Sequence, residues 1–371
     1  MNWWQRLKKN PLARFGAILL IVFYITVIFA DFIAPYDPYY SQPNGSLLPP
    51  TRVYLNNREG QFIGPHVYPT TQGDTDLDTG KREIIVDFSK PSPLRLFASG
   101  FEYKLFKLSL PLPPQWNEVT IFPGIPLNFH LFGVDGEARF NLLGTDDQAR
   151  DEFSRLLYGG RISLFIGILG VAISFPLGML VGGISGYFSG WTDSIIMRVV
   201  EVLMTFPSIY LLVTLGAVLP PGLSSTQRFL LIVLITSFIR WAGLARVIRG
   251  QVLSIKEREF VQAARAMGGK PLYIILRHVL PQTATYIIIS ATLSIPSFIA
   301  AEAILSLIGL GIQQPDPSWG NMLSLATNAS ILVLQQWLIW PPALVIILTV
   351  LAFNLLGDGL RDALDPRSLG R

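Results

Sequence analysis

Six apolar runs, at 15–34, 162–187, 195–219, 226–247, 283–312 and 335–356, constrain this chain more than any other feature of it. A hydrocarbon slab about 30 Å thick is crossed by roughly 20 helical residues, and it tolerates no unpaired backbone N–H or C=O. Runs of this length therefore read as membrane-spanning helices. Half of the 371 residues are hydrophobic and only 15% are charged, and the mean hydropathy is +0.45, all of which fits a membrane protein. The expected fold class is an all-α polytopic membrane protein with six transmembrane helices.

Charge sets the expected orientation. Arg6, Lys8, Lys9 and Arg14 precede the first run; Arg246, Arg249, Lys256, Arg258, Arg265, Lys270 and Arg277 cluster between the fourth and fifth; 220–225 carries no charge. Basic loops stay in the cytoplasm, so the N-terminus and the 254–282 loop are expected there, and six crossings return 358–371 to the same side. A cleaved signal peptide competes for the first run, but the run is long and Phe29-Ala30-Asp31 is a poor small-residue cleavage site; 1–34 reads as a cytoplasmic N-terminus and an uncleaved first span. Residues 35–157 hold 11 Lys/Arg and 15 Asp/Glu, leaving 18 and 10 elsewhere. The basic excess belongs to the membrane part, where loop charge explains it without nucleic acid. Cysteine is absent, which removes disulfides, thiolate nucleophiles and thiolate metal sites.

Residues 35–143 differ in kind. Pro, Gly, Asn and Thr recur, and alternating runs at 82–88 and 102–108 read as strands, giving a β-rich extracytoplasmic insertion. Asp74, Asp76 and Asp78 alternate as in a calcium loop, yet the rest of that pattern is missing and a solvated turn accounts for them. His66 and His130 lack partners at ligand spacing, so surface or core histidines are expected, and neither a metal nor a cofactor is.

At 144–160, Phe153, Leu156 and Leu157 share one helical face and Arg150, Asp151 and Arg155 the other, predicting an amphipathic helix on the membrane surface that leads into the domain at 161–357. Gly170, Ser174, Gly178, Gly182, Gly186 and Gly190 recur every fourth residue and form a ridge for close helix approach, either within the chain or against a partner. Pro296 lies inside the fifth run, and 313–334 reads as an external re-entrant or surface segment. Glu201, Arg240 and Glu302 are ionisable residues in or near apolar runs, which makes them translocation-pathway candidates. For Glu201 and Arg240, near the cytoplasmic ends of their spans, the competing reading is an interfacial position or a structural pairing with another helix; Glu302, close to an outer end, suits a gate or lid contact.

The polar island at 257–281, EREFVQAARAMGGKPLYIILRHVLP, is too charged for the bilayer and too patterned for a casual loop. Good helix formers fill 259–267, Gly268 and Gly269 supply a stop, and Pro271 opens a second turn. Ala263 and Ala264 leave a shallow surface edged by Glu259 and Arg265, suited to docking rather than chemistry. The block resembles the EAA loop of ABC importer permeases: Gln262, Ala263, Ala264, Gly268, Leu280 and Pro281 fall at the matching spacing, with Gln262 in place of Glu and His278 in place of Ile. Other stretches are similar to the dipeptide and oligopeptide branch. These are LGTD at 143–146, with Ala149 where that branch has Gly; Arg198, Glu201 and Pro207, with Glu for Asp; 301–323, AEAILSLIGLGIQQPDPSWGNML; and 354–367, NLLGDGLRDALDPR. The long insertion departs from most of these permeases and is similar to the YejE type.

The resemblance implies a type I ABC importer permease of the bacterial inner (plasma) membrane, carrying peptides or peptide-like solutes. It implies as partners a second homologous permease, two cytoplasmic ATPases and an extracytoplasmic solute-binding protein; the insertion itself enlarges the surface outside the membrane, and a docking platform for that binding protein is the hypothesis it suggests. ATPase coupling would fall to Glu259, Gln262, Ala263, Ala264, Arg265, Gly268, Leu280 and Pro281. The chain has no G-x-x-x-x-G-K-[ST] cradle and no catalytic residue is expected, so the ATP-hydrolysing activity would reside in the partners. The alternative is a membrane-anchored receptor that binds ligand through 35–143.

Overall fold

The computed structural model describes residues 3–76, 82–112, 117–220 and 222–364; Asp78 and the terminal residues 365–371 lie outside them. The chain opens with helices α1 (Trp3–Lys9), α2 (Pro11–Ile28) and α3 (Ala30–Ile33), followed by strands β1 (Tyr54–Asn56), β2 (Phe62–Val67), β3 (Thr70–Thr75), β4 (Arg82–Val86), β5 (Ser92–Leu105), β6 (Leu108–Leu112), β7 (Asn117–Phe122) and β8 (Ile125–Val134). Ten more helices follow: α4 (Glu152–Phe188), α5 (Gly190–Thr205), α6 (Ser208–Ala217), α7 (Ser225–Ile255), α8 (Glu259–Ala266), α9 (Pro271–Ile274), α10 (Ala284–Leu307), α11 (Trp319–Leu323), α12 (Ala329–Leu334) and α13 (Trp340–Leu364). Among the described residues, five helical stretches are long and apolar enough to cross a membrane, or six with the bent pair α5–α6 taken as one span.

The third crossing is not the single rod expected over 195–219. α5 and α6 meet at 80° across Phe206 and Pro207, because proline has no N–H to continue the ladder and its ring disfavours helical backbone just before it. Elsewhere the helix starts follow the local chemistry. Asn10 Oδ1 accepts from the Leu12 and Ala13 amides at 3.1 and 3.2 Å, and Pro11 takes the first turn of α2.

Long-range packing centres on α4 and α7. The small-residue ridge is occupied within the chain: Gly178 faces Trp241 and Leu244, Gly186 faces Arg249 and Val252, and a Cβ on Gly182 would stand 2.4 Å from the Ala245 carbonyl oxygen. Gly170 gives the same closeness to Phe298 of α10. Leu20, Leu164, Ile232, Ile299 and Phe353 bring α2, α4, α7, α10 and α13 into one core.

Between α3 and α4 the strands form an antiparallel sheet ordered β1–β2–β5–β8 and two hairpins, β3–β4 and β6–β7. His66 and His130 are both buried. His66 lies 2.7 Å from the Gly64 carbonyl oxygen and 3.1 Å from the Tyr68 hydroxyl; His130 lies 3.1 Å from the Phe101 carbonyl oxygen.

The segment at 144–160 is not a surface helix. α4 begins at Glu152 and continues for 37 residues, about 55 Å and far longer than the slab. The charged face expected to meet water is buried instead, with Arg150, Asp151 and Arg155 each 1% exposed. The two buried arginines are answered by Asp146 and by backbone carbonyls, whereas Asp151 Oδ1 and Glu152 Oε1 are buried without a hydrogen-bond partner. Asp146 accepts Arg150 Nε at 2.8 Å and sits 3.3 Å from Arg155 Nε. Arg155 donates to the carbonyl oxygens of Pro38 and Pro315 at 3.1 and 3.0 Å and to Gln314 Oε1 at 3.0 Å. The cluster ties the start of the insertion, the head of α4 and the segment before α11 together. Asp151 caps α4 by accepting the Ser154 amide and hydroxyl at 2.8 and 2.7 Å, while burial pushes its carboxyl up to about 6.

Candidate functional site

The 254–282 loop is built as a knob fixed to the ends of three long helices. α7 closes at Ile255, α8 turns back, and the chain re-enters through α9, a wide turn over Ile275–Val279 and a tight one over Leu280–Thr283 before α10. Gly268 takes φ +82°; its amide donates to the Arg265 carbonyl at 2.9 Å and that of Gly269 to the Ala264 carbonyl at 3.0 Å. This is the paired bonding of a Schellman stop, which needs a left-handed residue where Gly268 stands.

α8 is two-faced. Val261 and Ala264 are buried and join Tyr187 of α4, Val252 and Ile255 of α7, and Ile274, Ile275, Val279 and Leu280 in one apolar cluster. Burying a side chain such as Val261 away from water contributes about 1.5–3 kcal/mol. Ala264 therefore anchors the knob and is no part of an exposed docking surface, as its pairing with Ala263 had suggested; helical periodicity turns the two neighbours 100° apart. Arg265 reaches across to α4, its Nε donating to the Tyr187 hydroxyl at 3.0 Å with the guanidinium 4.5 Å from the ring centre. Gln262 folds back on the loop, donating to the Lys256 carbonyl at 3.1 Å.

Glu259, Gln262, Ala263 and Arg265 of α8 are exposed, as are Gly268 at the stop and Pro281 in the turn before α10. So are Phe260, Met267, Leu272 and Tyr273, with Met267 82% exposed. Sequence reasoning passed over these four. Their signal is a phenylalanine and a methionine on a short polar helix next to Leu-Tyr, which a membrane segment would explain but a water-facing loop does not.

The intramembrane candidates fall in three different settings. Glu201 on α5 is half-exposed and pairs with Arg198 at 3.2 Å, one turn away. Arg240 is not near a helix end, because α7 runs on to Ile255 and places it at mid-length; it donates to the Ser297 carbonyl oxygen at 3.1 Å. Glu302 is fully buried on α10. It accepts from Ser306 and Ser318 at 2.7 Å and from Ser163 at 3.2 Å. Each serine hydroxyl in turn accepts a backbone amide: Ile312 on Ser306, Asn321 on Ser318 and Trp319 on Ser163. One carboxylate thus orients three hydroxyls that hold down the segment between α10 and α11, joining it to α4.

The family described as binding-protein-dependent transport system inner membrane component matches residues 174–369, and the N-terminal TM domain of oligopeptide transport permease C matches residues 2–50. The strands lie between the two matches. The chain is 44% identical over 224 residues to the dipeptide transport system permease protein DppC of Bacillus subtilis, covering 60% of this chain and 68% of that one. It is 42% identical over 253 residues to the oligopeptide transport system permease protein OppC of Haemophilus influenzae, covering 68% of this chain and 75% of that one.

Proposed function

The chain belongs to the binding-protein-dependent transport system inner membrane component family, and on that premise we propose that it forms part of the transmembrane path for peptides, with 254–282 as the lever that ATPases move. It is an integral membrane permease component of an ABC importer, and membership in the family implies an ATPase and a substrate-binding protein as partners. A second, homologous permease and two cytoplasmic ATPases complete the assembly. The loop and both termini face the cytoplasm, as the basic residues of the first helices and of the loop support. The β-rich insertion lies on the opposite side and offers the solute-binding protein its platform.

One observation carries the reading: α8 presents Phe260, Ala263 and Met267 outward while Val261 and Ala264 bind it to the ends of α4, α7 and the α9–α10 helix. A push on that face moves three long helices as one body. ATP binding biases the path through the contacts that differ between its states, and those contacts are the ones α8 makes. Glu201 and Arg198 lie on a surface that the second permease covers; Arg240 lines the path; Glu302 holds its outer segment.

The test is uptake of a labelled tripeptide into proteoliposomes carrying both permeases, with ATPases and binding protein added. Uptake that needs ATP and is abolished by Met267→Asp, while insertion is unchanged, is the expected result. Uptake indifferent to ATP contradicts it.

A further inference from the structure

Arg240 is a cation at the middle of α7 with no carboxylate at ion-pair distance among the described residues. What holds it is slight: one hydrogen bond to the Ser297 carbonyl oxygen, at 3.1 Å, and the Phe298 ring, 5.0 Å from centroid to guanidinium. A guanidinium carries five N–H donors in a planar fork, so most of its capacity is unspent. A charge on a membrane-spanning helix is disfavoured unless water or an anion meets it.

The side chain lines two cavities at once, of about 290 and 250 Å³. The first lies between α4, α7 and α10 and is bordered by Ser174, Ser290 and Ser294; the second lies between α6, α7 and α10 and is bordered by Ser208, Thr236 and Ser297. Hydroxyls line both, and the one full charge stands where the two share a wall. α6 starts at the second cavity behind Pro207 with no side-chain cap, and an uncapped helix start adds to the attraction for an anion.

We infer that Arg240 is the station at which the free C-terminal carboxylate of the transported peptide is held between the two cavities. The inference rests on the peptide-import reading above. Two N–H groups in parallel match the two oxygens of a carboxylate; Ser174, Thr236, Ser294 and Ser297 already donate to carbonyls of their own helices, which leaves the hydroxyls of Ser290 in the first cavity and Ser208 in the second to replace its water during approach and release. An arginine that merely tied α7 to α10 would use the Ser297 and Phe298 contacts alone and would be indifferent to the end group of the solute.

The test compares a tripeptide with its C-amidated form in the full reconstituted complex, at saturating peptide and ATP, so that the maximal import rate is read. The wild type is expected to import the free acid faster. Arg240→Gln should lower that rate about tenfold, the scale of one charge-assisted contact, and bring the acid-to-amide ratio near one. Arg240→Lys keeps the charge without the fork and should give an intermediate ratio, which retains the test even where the glutamine variant fails to assemble. Equal rates in the wild type, or a ratio that neither variant changes, overturn the inference. Import of neither peptide in an ATP-dependent manner overturns the peptide-import reading instead.

Discussion

Arg265 of α8 and Tyr187 of α4 are joined twice, by a 3.0 Å hydrogen bond from Nε to the hydroxyl and by the guanidinium lying 4.5 Å from the ring centre. The pair is the polar latch beside the apolar cluster that seats the knob. Tyr187→Phe removes the hydrogen bond and keeps the ring, at a cost of about 1 kcal/mol. Tyr187→Ala removes both, and with a ring only 7% exposed it should cost about 3–5 kcal/mol. Thermal unfolding in detergent ranks the two, and the peptide moved per ATP hydrolysed should fall in the same order.

Gly268 is held at φ +82° with open space where a Cβ would stand. Substitution there strains the backbone without a clash. Gly268→Val should cost about 1–3 kcal/mol and re-aim the chain leaving α8. Membrane insertion should persist while import per ATP drops; Gly268→Asn, which tolerates that backbone, should retain coupling. Full coupling in the valine variant would show that the stop is dispensable.

How far the sequence could be read shows in these two sites. Gly268 and Gly269 after a run of Ala, Gln and Arg mark a helix stop by local chemistry alone, and the structure has the stop there. The partner of Arg265, by contrast, is 78 residues away on α4, and no local pattern points to it. The same holds at 144–160: Phe153, Leu156 and Leu157 on one face against Arg150, Asp151 and Arg155 on the other signal a helix, which starts only at Glu152, but whether the polar face meets water or carbonyl oxygens from Pro38 and Pro315 depends on chain returning from far off. The helix end near Arg240 was not legible either: Arg246 and Arg249 close the apolar run at 247, whereas α7 continues to Ile255, with Arg249 Nε donating to Asp193 Oδ1 at 2.8 Å.

Ala149 adopts φ +62°, a left-handed backbone in the turn before α4. Glycine adopts it without strain, so Ala149→Gly should stabilise the protein by roughly 0.5–1 kcal/mol after the greater freedom of the unfolded chain is allowed for. A higher melting temperature checks this; a lower one would mean that the methyl group packs more than the strain costs.

Asp151 gives a pH signature. Its carboxyl is pushed from an ordinary 3.8 to about 6 by burial, so the folded state binds that proton more tightly. The stability this supplies is complete below about pH 4 and is lost as pH rises through about 6, to the extent of roughly 2–3 kcal/mol. Asp151→Asn keeps the cap on α4 and should flatten the fall in melting temperature between pH 4 and 7. A residual slope is expected from Asp147, also raised by burial. An unchanged slope in the asparagine variant would contradict the assignment.

The central claim is that the outward face of α8 receives force from an ATP-hydrolysing partner. A photo-reactive side chain placed at Met267, and in a parallel sample at Ala263, tests it most directly in membranes that contain the whole complex. The account predicts cross-links to the ATPase from both positions, with yields that change on ATP binding. Adducts with lipid alone, or yields blind to nucleotide, would contradict it.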